Sequence, residues 1–169
     1  MAKSPIRVLF VCTGNICRSP MAEAYLRHRV ASKGLSPYVV ADSAGISRWH
    51  QGEEADPGTL TVLAAHGISS QGLRARQITT RDSEADYIVV MDRSHQRSLP
   101  PACRFKSQLL LAWAPGRAPN DEVFDPYGTN RFEELYDLMT PAVDRLLEAI
   151  VAEHQLRSDT QGPDHGKMV

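Results

Sequence analysis

The chain has 169 residues, 42% hydrophobic and 23% charged, a length and balance that fit one globular domain with a core of its own. Nineteen basic residues against twenty acidic ones leave no global field to attract nucleic acid or an anionic membrane surface. Three cysteines, two of them five positions apart, make no disulfide framework and fit a reducing cytoplasm; the first residues lack an apolar stretch of signal-peptide length, and no apolar run is long enough to span a bilayer.

Residues 6–11 are almost continuously apolar, as expected of a parallel strand covered on both faces. From Ser19 the apolar positions (Met21, Ala22, Tyr25, Leu26 and Val30) take helical spacing, with Pro20 in a first turn and Gly34 as the stop. Residues 38–41 form a second strand ending at Asp42-Ser43-Ala44-Gly45. A loop with Trp49-His50 and Asp56-Pro57 leads to a helix over 59–66. Residues 85–91 make a third strand, closed by Asp92, and 107–113 a fourth. Pro115 to Pro119 break regular structure, and 131–153 carry the apolar stripe of a long amphipathic helix. A single domain over 1–154 and a flexible polar tail over 155–169 are expected, with no internal repeat.

Strands alternating with helices imply an α/β fold with a parallel sheet, whose ligands bind beyond the carboxyl ends of the strands. The segment Cys12-Thr13-Gly14-Asn15-Ile16-Cys17-Arg18-Ser19-Pro20 leaves the first strand at that edge. Backbone N–H groups of such a loop curl into a nest for an anion, and the dipole of the following helix adds to it. Gly14 tolerates positive φ and close approach of a ligand, and Asn15 is among the few other residues that do. Arg18 supplies a planar fork for two phosphate oxygens.

Amide donors and a guanidinium favour a thiolate at Cys12, a nucleophile aimed at the phosphorus of a bound phosphoryl group. Ser19 can hydrogen-bond the sulfur and help it leave. Asp125, in Asp125-Pro126-Tyr127, is the candidate proton donor for the leaving oxygen. Neither metal nor cofactor is required. Cys12, Cys17 and Cys103 lack the spacing of a zinc site, and neither a Walker nor a dinucleotide loop is present.

The segment 12–20 resembles the active-site signature of the low-molecular-weight protein tyrosine phosphatases. The resemblance continues through Asp42-Ser43-Ala44-Gly45, Trp49-His50, Asp56-Pro57, His66-Gly67-Ile68, Ala75-Arg76-Gln77-Ile78, Met91-Asp92 and Asp125-Pro126-Tyr127, covering about residues 7 to 149. It implies a three-layer, flavodoxin-like or Rossmann-like fold: a four-stranded parallel twisted sheet, helices on both faces, and the phosphate loop after the first strand. It assigns nucleophile to Cys12, phosphate clamp to Arg18, thiolate partner to Ser19 and general acid to Asp125. Thr13, Gly14, Asn15, Ile16 and Cys17 would bind substrate along the loop. Ser43, Ser19 and His66 would hold Asn15 left-handed, and Asp92 would support the loop. Trp49 and Tyr127 resemble the walls of an aromatic slot for a phosphotyrosine ring. Gly128 departs from the animal members, which often carry another tyrosine there, and leaves one side of the mouth more open.

The expected substrate is a phosphotyrosine-containing protein or peptide, and the expected state a monomer. A protein-arginine phosphatase is the nearest rival; members with that activity carry threonine where this chain has Ile16, and an apolar wall suits an aryl ester better than a phosphoguanidinium. A thioredoxin-coupled arsenate reductase would need two further relay cysteines, where only Cys103 is left over. A silent phosphotyrosine-binding module would typically have lost Cys12, Arg18 or Asp125. Cys17 has two readings: a small buried filler, or a resolving thiol that traps oxidised Cys12 as a disulfide.

Overall fold

The computed structural model describes residues 4–118 and 120–158. Four strands, β1 (Ile6–Cys12), β2 (Val39–Gly45), β3 (Tyr87–Val90) and β4 (Ser107–Leu109), form one parallel sheet in the order β2-β1-β3-β4. The helices are α1 (Arg18–Ser32), α2 (Pro57–Ala65), α3 (Arg93–Ser98), α4 (Pro101–Arg104) and α5 (Phe132–His154). β1 lies between β2 and β3, so the chain leaves it toward one neighbour and later returns on its other side. The crevice beyond its carboxyl end is the topological switch point of the sheet.

The alternation of side chains along β1 builds two cores. Val8, Phe10 and Cys12 join the larger one with residues of α1, α2 and α5; Leu9 and Val11 join the smaller one with Ile88, Val90, Leu99 and Cys103. With both faces covered, β1 is apolar nearly throughout, which is why its sequence shows no polar alternation. Among the described residues no helix is long and apolar enough to cross a membrane, and no group of three or more His, Cys, Asp or Glu is placed to hold a metal ion.

The fourth strand is shorter than its apolar run. It ends at Leu109, and Leu110–Trp113 wind into a 3-10 turn. Leu110 and Leu111 are both buried in the larger core, whereas consecutive strand residues would face opposite sides. Asp56-Pro57, read as loop, starts α2: the Asp56 carboxylate accepts from Gly58 N across 2.8 Å, and Pro57 takes the first helical position. A 3-10 turn at Thr80–Glu84 and the short helices α3 and α4 have no apolar stripe, and the periodicity missed them. Gln155, at φ 53°, ends α5 in the left-handed region. The expected tail lies outside the described residues from 159 onward.

Candidate active site

The residues after β1 converge on a cavity of about 370 Å³ at the switch point, lined by Cys12, Thr13, Gly14, Ile16, Cys17, Arg18, Trp49, His50, Asp125 and Tyr127. α1 starts at its floor. Its N-cap, Cys17, makes no side-chain cap, and no acidic residue sits in the first turn. The first-turn N–H groups are thus free of a competing carboxylate, as an anion site at a helix N-terminus requires.

Asn15 carries the strain of the loop. It is a non-glycine residue at φ 59°, and it, not Gly14, takes the left-handed conformation. Its amide is fixed from both ends. Asn15 Oδ1 accepts the backbone N–H of Arg76 at 2.9 Å, and Nδ2 donates to Ser19 Oγ at 2.8 Å and Ser43 Oγ at 3.0 Å. Ser43 donates in turn to Glu23 Oε1 at 2.6 Å. Burial raises the Glu23 carboxyl above its usual value, against the pull of Ser43 and of Arg27, with which it pairs. His66, expected to hold Asn15, does not take part. It sits at the end of α2 with Nε2 2.7 Å from Glu133 and its ring stacked on Tyr136. Arg76 and Glu23 occupy the supporting role instead.

Gly14 and Gly45 are explained by close approach. A Cβ on Gly14 would lie 2.9 Å from His50 Cδ2, and one on Gly45 2.9 Å from the Thr13 carbonyl and 3.1 Å from Asn15 Cβ. The end of β2 is therefore pressed against the back of the loop, and Ile46 and Ser47 extend the pairing by donating to the carbonyls of Cys12 and Thr13.

Cys12 Sγ lies 3.0 Å from Ser19 Oγ, and the sulfur is almost entirely buried. Ser19 Oγ already receives the Asn15 amide, so its own proton is available to the sulfur; the competing Ala44 carbonyl is farther, at 3.5 Å. Arg18 is 3% exposed. Its Nη1 donates to Asp92 Oδ2 at 3.2 Å and to the Val123 carbonyl at 3.0 Å, while Nη2 faces Thr13, His95 and Asp125, the last at 3.9 Å. Burial alone would raise the Asp92 carboxyl, but bonds from Ser94 and the His95 backbone N–H, with the positive side of Arg18, hold it below its usual value. A buried guanidinium thus keeps an ionised partner on one side and presents its other nitrogen to the cavity.

The loop that carries Asp125 is tied down at Val123. The Val123 N–H donates to the Met91 carbonyl at 2.8 Å, and its carbonyl is the one Arg18 grips. Tyr127 N–H donates to Asp125 Oδ1 at 3.1 Å, leaving Oδ2 on the Arg18 side. Arg131 lies over the Phe124 ring at 4.0 Å and closes the far end. Trp49 and Tyr127 stand at the mouth, 81% and 59% exposed, and His50 joins them with Nδ1 2.9 Å from Glu53. Gly128, at φ 76°, has open space where a Cβ would sit. Cys17 lines the floor, and burial, with Asp56, Cys12 and Asp125 nearby, pushes its thiol up so that it keeps its proton.

Sequence reasoning brought together Cys12, Arg18, Ser19, Asp125, Trp49 and Tyr127, all found around one cavity or touching its lining. It gave no role to Glu23 or His95, nor to Arg76 and His50, which the resemblance had named only as matching positions. His50 could have been found from its place beside Trp49. The other three reach the site only through the folded chain.

The model of the family described as low molecular weight phosphotyrosine protein phosphatase matches residues 7–156. The low molecular weight protein-tyrosine-phosphatase YfkJ of Bacillus subtilis is 44% identical over 156 residues, 89% of this chain and 99% of that one. Its crystal structure superposes with a TM-score of 0.83 at 42% identity, covering 90% of this chain and 99% of the other. A low molecular weight protein-tyrosine-phosphatase of Streptomyces coelicolor is 45% identical over 152 residues, 85% of this chain and 93% of that one. The YwlE arginine phosphatase from Geobacillus stearothermophilus superposes with a TM-score of 0.77 at 30% identity, covering 89% and 96%. The family model spans nearly the whole described chain and the relatives are covered almost end to end, so this protein belongs to the low molecular weight phosphotyrosine protein phosphatase family.

Proposed function

We propose that the chain hydrolyses phosphotyrosine in proteins or peptides, and small aryl phosphates, through a cysteinyl-phosphate intermediate. One observation carries the reading: Cys12 Sγ, Arg18 and Asp125 line a single cavity whose mouth is flanked by Trp49 and Tyr127. The Cys12 thiolate attacks phosphorus while the first-turn N–H groups and Arg18 hold the non-bridging oxygens. The ester P–O bond breaks, and the leaving phenolate takes the proton of Asp125. Water then attacks the phosphocysteine, giving its proton to Asp125. The P–S bond breaks, the sulfur leaves as thiolate stabilised by the Ser19 hydroxyl, and inorganic phosphate is released.

Exposed Trp49 and Tyr127 at the mouth and buried Cys12 within the cavity favour an aryl phosphate over the shorter phosphoserine. Ile16 gives the cavity an apolar wall, favouring a ring over a phosphoguanidinium, although the YwlE likeness keeps the arginine reading as the comparison to run. Three free cysteines support a reducing, cytoplasmic setting, and the chain acts as a monomer on a phosphoprotein.

The deciding experiment measures turnover of phosphotyrosine, phosphoserine and phosphoarginine peptides side by side, with Cys12→Ser as control. Phosphotyrosine should be hydrolysed fastest and Cys12→Ser should be inactive. Wild-type turnover in Cys12→Ser would overturn the mechanism, and a faster reaction on phosphoarginine would overturn the substrate class.

A further inference from the structure

The anion nest needs only the backbone of Thr13, yet the Thr13 hydroxyl lies within a fixed set of partners. Thr13 Oγ1 is 2.8 Å from His95 Nε2 and 3.5 Å from Arg18 Nη2, at the wall of the cavity that holds Cys12. The other side of the imidazole decides which of these atoms donates. The backbone N–H of Asp92 donates to His95 Nδ1 across 3.2 Å. An N–H has no lone pair to give, so Nδ1 is the unprotonated nitrogen. A neutral imidazole carries one proton, which therefore sits on Nε2. Of the two neighbours of Nε2, Thr13 Oγ1 is the nearer and the one with lone pairs; Arg18 Nη2, at 3.4 Å, is itself a donor.

The ring stays neutral. Burial first, then the Arg18 guanidinium of α1, bring His95 down to about 4, against the pull of Asp92 at the cap of α3 and of Asp125 and Glu122 in the loop before α5.

A hydroxyl has two lone pairs and one proton. His95 Nε2–H and Arg18 Nη2–H are both directed at Thr13 Oγ1, so neither receives its proton. Among the described residues no other group hydrogen-bonds this hydroxyl. The direction left to its O–H is the cavity. We propose that His95 is a positioning residue that commits the Thr13 hydroxyl to donate to a phosphoryl oxygen. This rests on the reading of the cavity as a phosphoryl site. A freely rotating hydroxyl would present its lone pairs to the anion part of the time, and fixing the rotor removes that repulsion before substrate arrives.

The test uses the full chain and inorganic phosphate as competitive inhibitor, with Thr13→Val, Thr13→Ser, His95→Phe, His95→Gln and the double variant Thr13→Val/His95→Phe. Thr13→Val should weaken phosphate binding by about 10-fold, the loss expected for one hydrogen bond to a charged group, and Thr13→Ser should restore it. His95→Phe should weaken phosphate binding when Thr13 is present and add little in the Thr13→Val background. His95→Gln, whose amide can still donate to Thr13, should recover part of the loss. Equal weakening by His95→Phe in both backgrounds would mark a merely structural histidine and overturn the proposal. So would wild-type phosphate binding by Thr13→Val in a chain whose Cys12→Ser variant is inactive. If the wild-type chain turned over no phosphomonoester at all, the site reading and this inference would fall together.

Discussion

Asn15 donates to Ser19 Oγ at 2.8 Å, and Ser19 Oγ lies 3.0 Å from Cys12 Sγ, so the residue in the left-handed turn of the loop also sets the hydroxyl facing the Cys12 sulfur. Shape and reactivity of the loop are thereby coupled through one side chain.

That coupling separates two substitutions. Asn15→Gly keeps a backbone that accepts φ 59° but loses three hydrogen bonds, whereas Asn15→Ala loses the bonds and also strains the backbone. Both should lower kcat, and Asn15→Ala should be the less stable of the two by about 1 kcal/mol. Thermal melts of the pair check it; equal melting temperatures would mean that the loop relaxes.

Ser19→Ala removes the hydroxyl that the proposed mechanism uses to stabilise the departing thiolate. Breakdown of the phosphocysteine should slow by about 10- to 100-fold, the worth of a hydrogen bond to a charged group. Formation should be affected less. Rapid-quench measurement should then show a burst followed by a slow steady rate, and a single slow phase without a burst would count against the role.

Asp125→Ala should lose about 100- to 10,000-fold in kcat on phenyl phosphate, as expected for removal of a general acid. On p-nitrophenyl phosphate, whose leaving group needs little protonation, the loss should be smaller. The same loss on both substrates would assign Asp125 a different task.

His95 makes stability depend on pH in a stated direction. Unfolded, its imidazole takes up a proton near pH 6.5; folded, it does so only near pH 4. Between these values the unfolded state binds more protons, so stability falls as pH falls, by up to about 3 kcal/mol in all. Denaturant titrations of the wild type and His95→Gln from pH 7 to pH 4 should show a shallower decline in the variant.

Gly45→Ala drives a methyl group into the Thr13 carbonyl and the Asn15 side chain. A cost of about 1 to 3 kcal/mol is expected for overpacking of this kind. Phosphate binding should fall with it, because the displaced atoms belong to the loop proposed to hold the anion. Unfolding and phosphate-inhibition measurements on one preparation check both effects.

Much of the site was legible because it is local. Cys12, Arg18 and Ser19 occupy one loop and one helical turn, and sequence distance there fixes spatial distance. The apolar run of β1 and the stripe of α5 were equally plain, since burial on two faces or on one leaves a periodic mark. The boundary of β4 was not, because Leu110 and Leu111 are apolar whether they continue a strand or wind under the core.

The sequence by itself determined the parallel sheet and the loop that sets Cys12, Arg18 and Ser19 at its edge, because chain connectivity suffices for those, and it offered Asp125 as the candidate acid. Only the tertiary structure decided what supports them. His66 lies close in sequence to the segment 68–78 that backs the loop, yet α2 carries it to Glu133 and Tyr136, while Glu23, Arg76 and His95 arrive from three other segments. A hydrogen bond is short and directional, so its partner is chosen by where packing leaves a donor and an acceptor about 3 Å apart, which no pattern along the chain records.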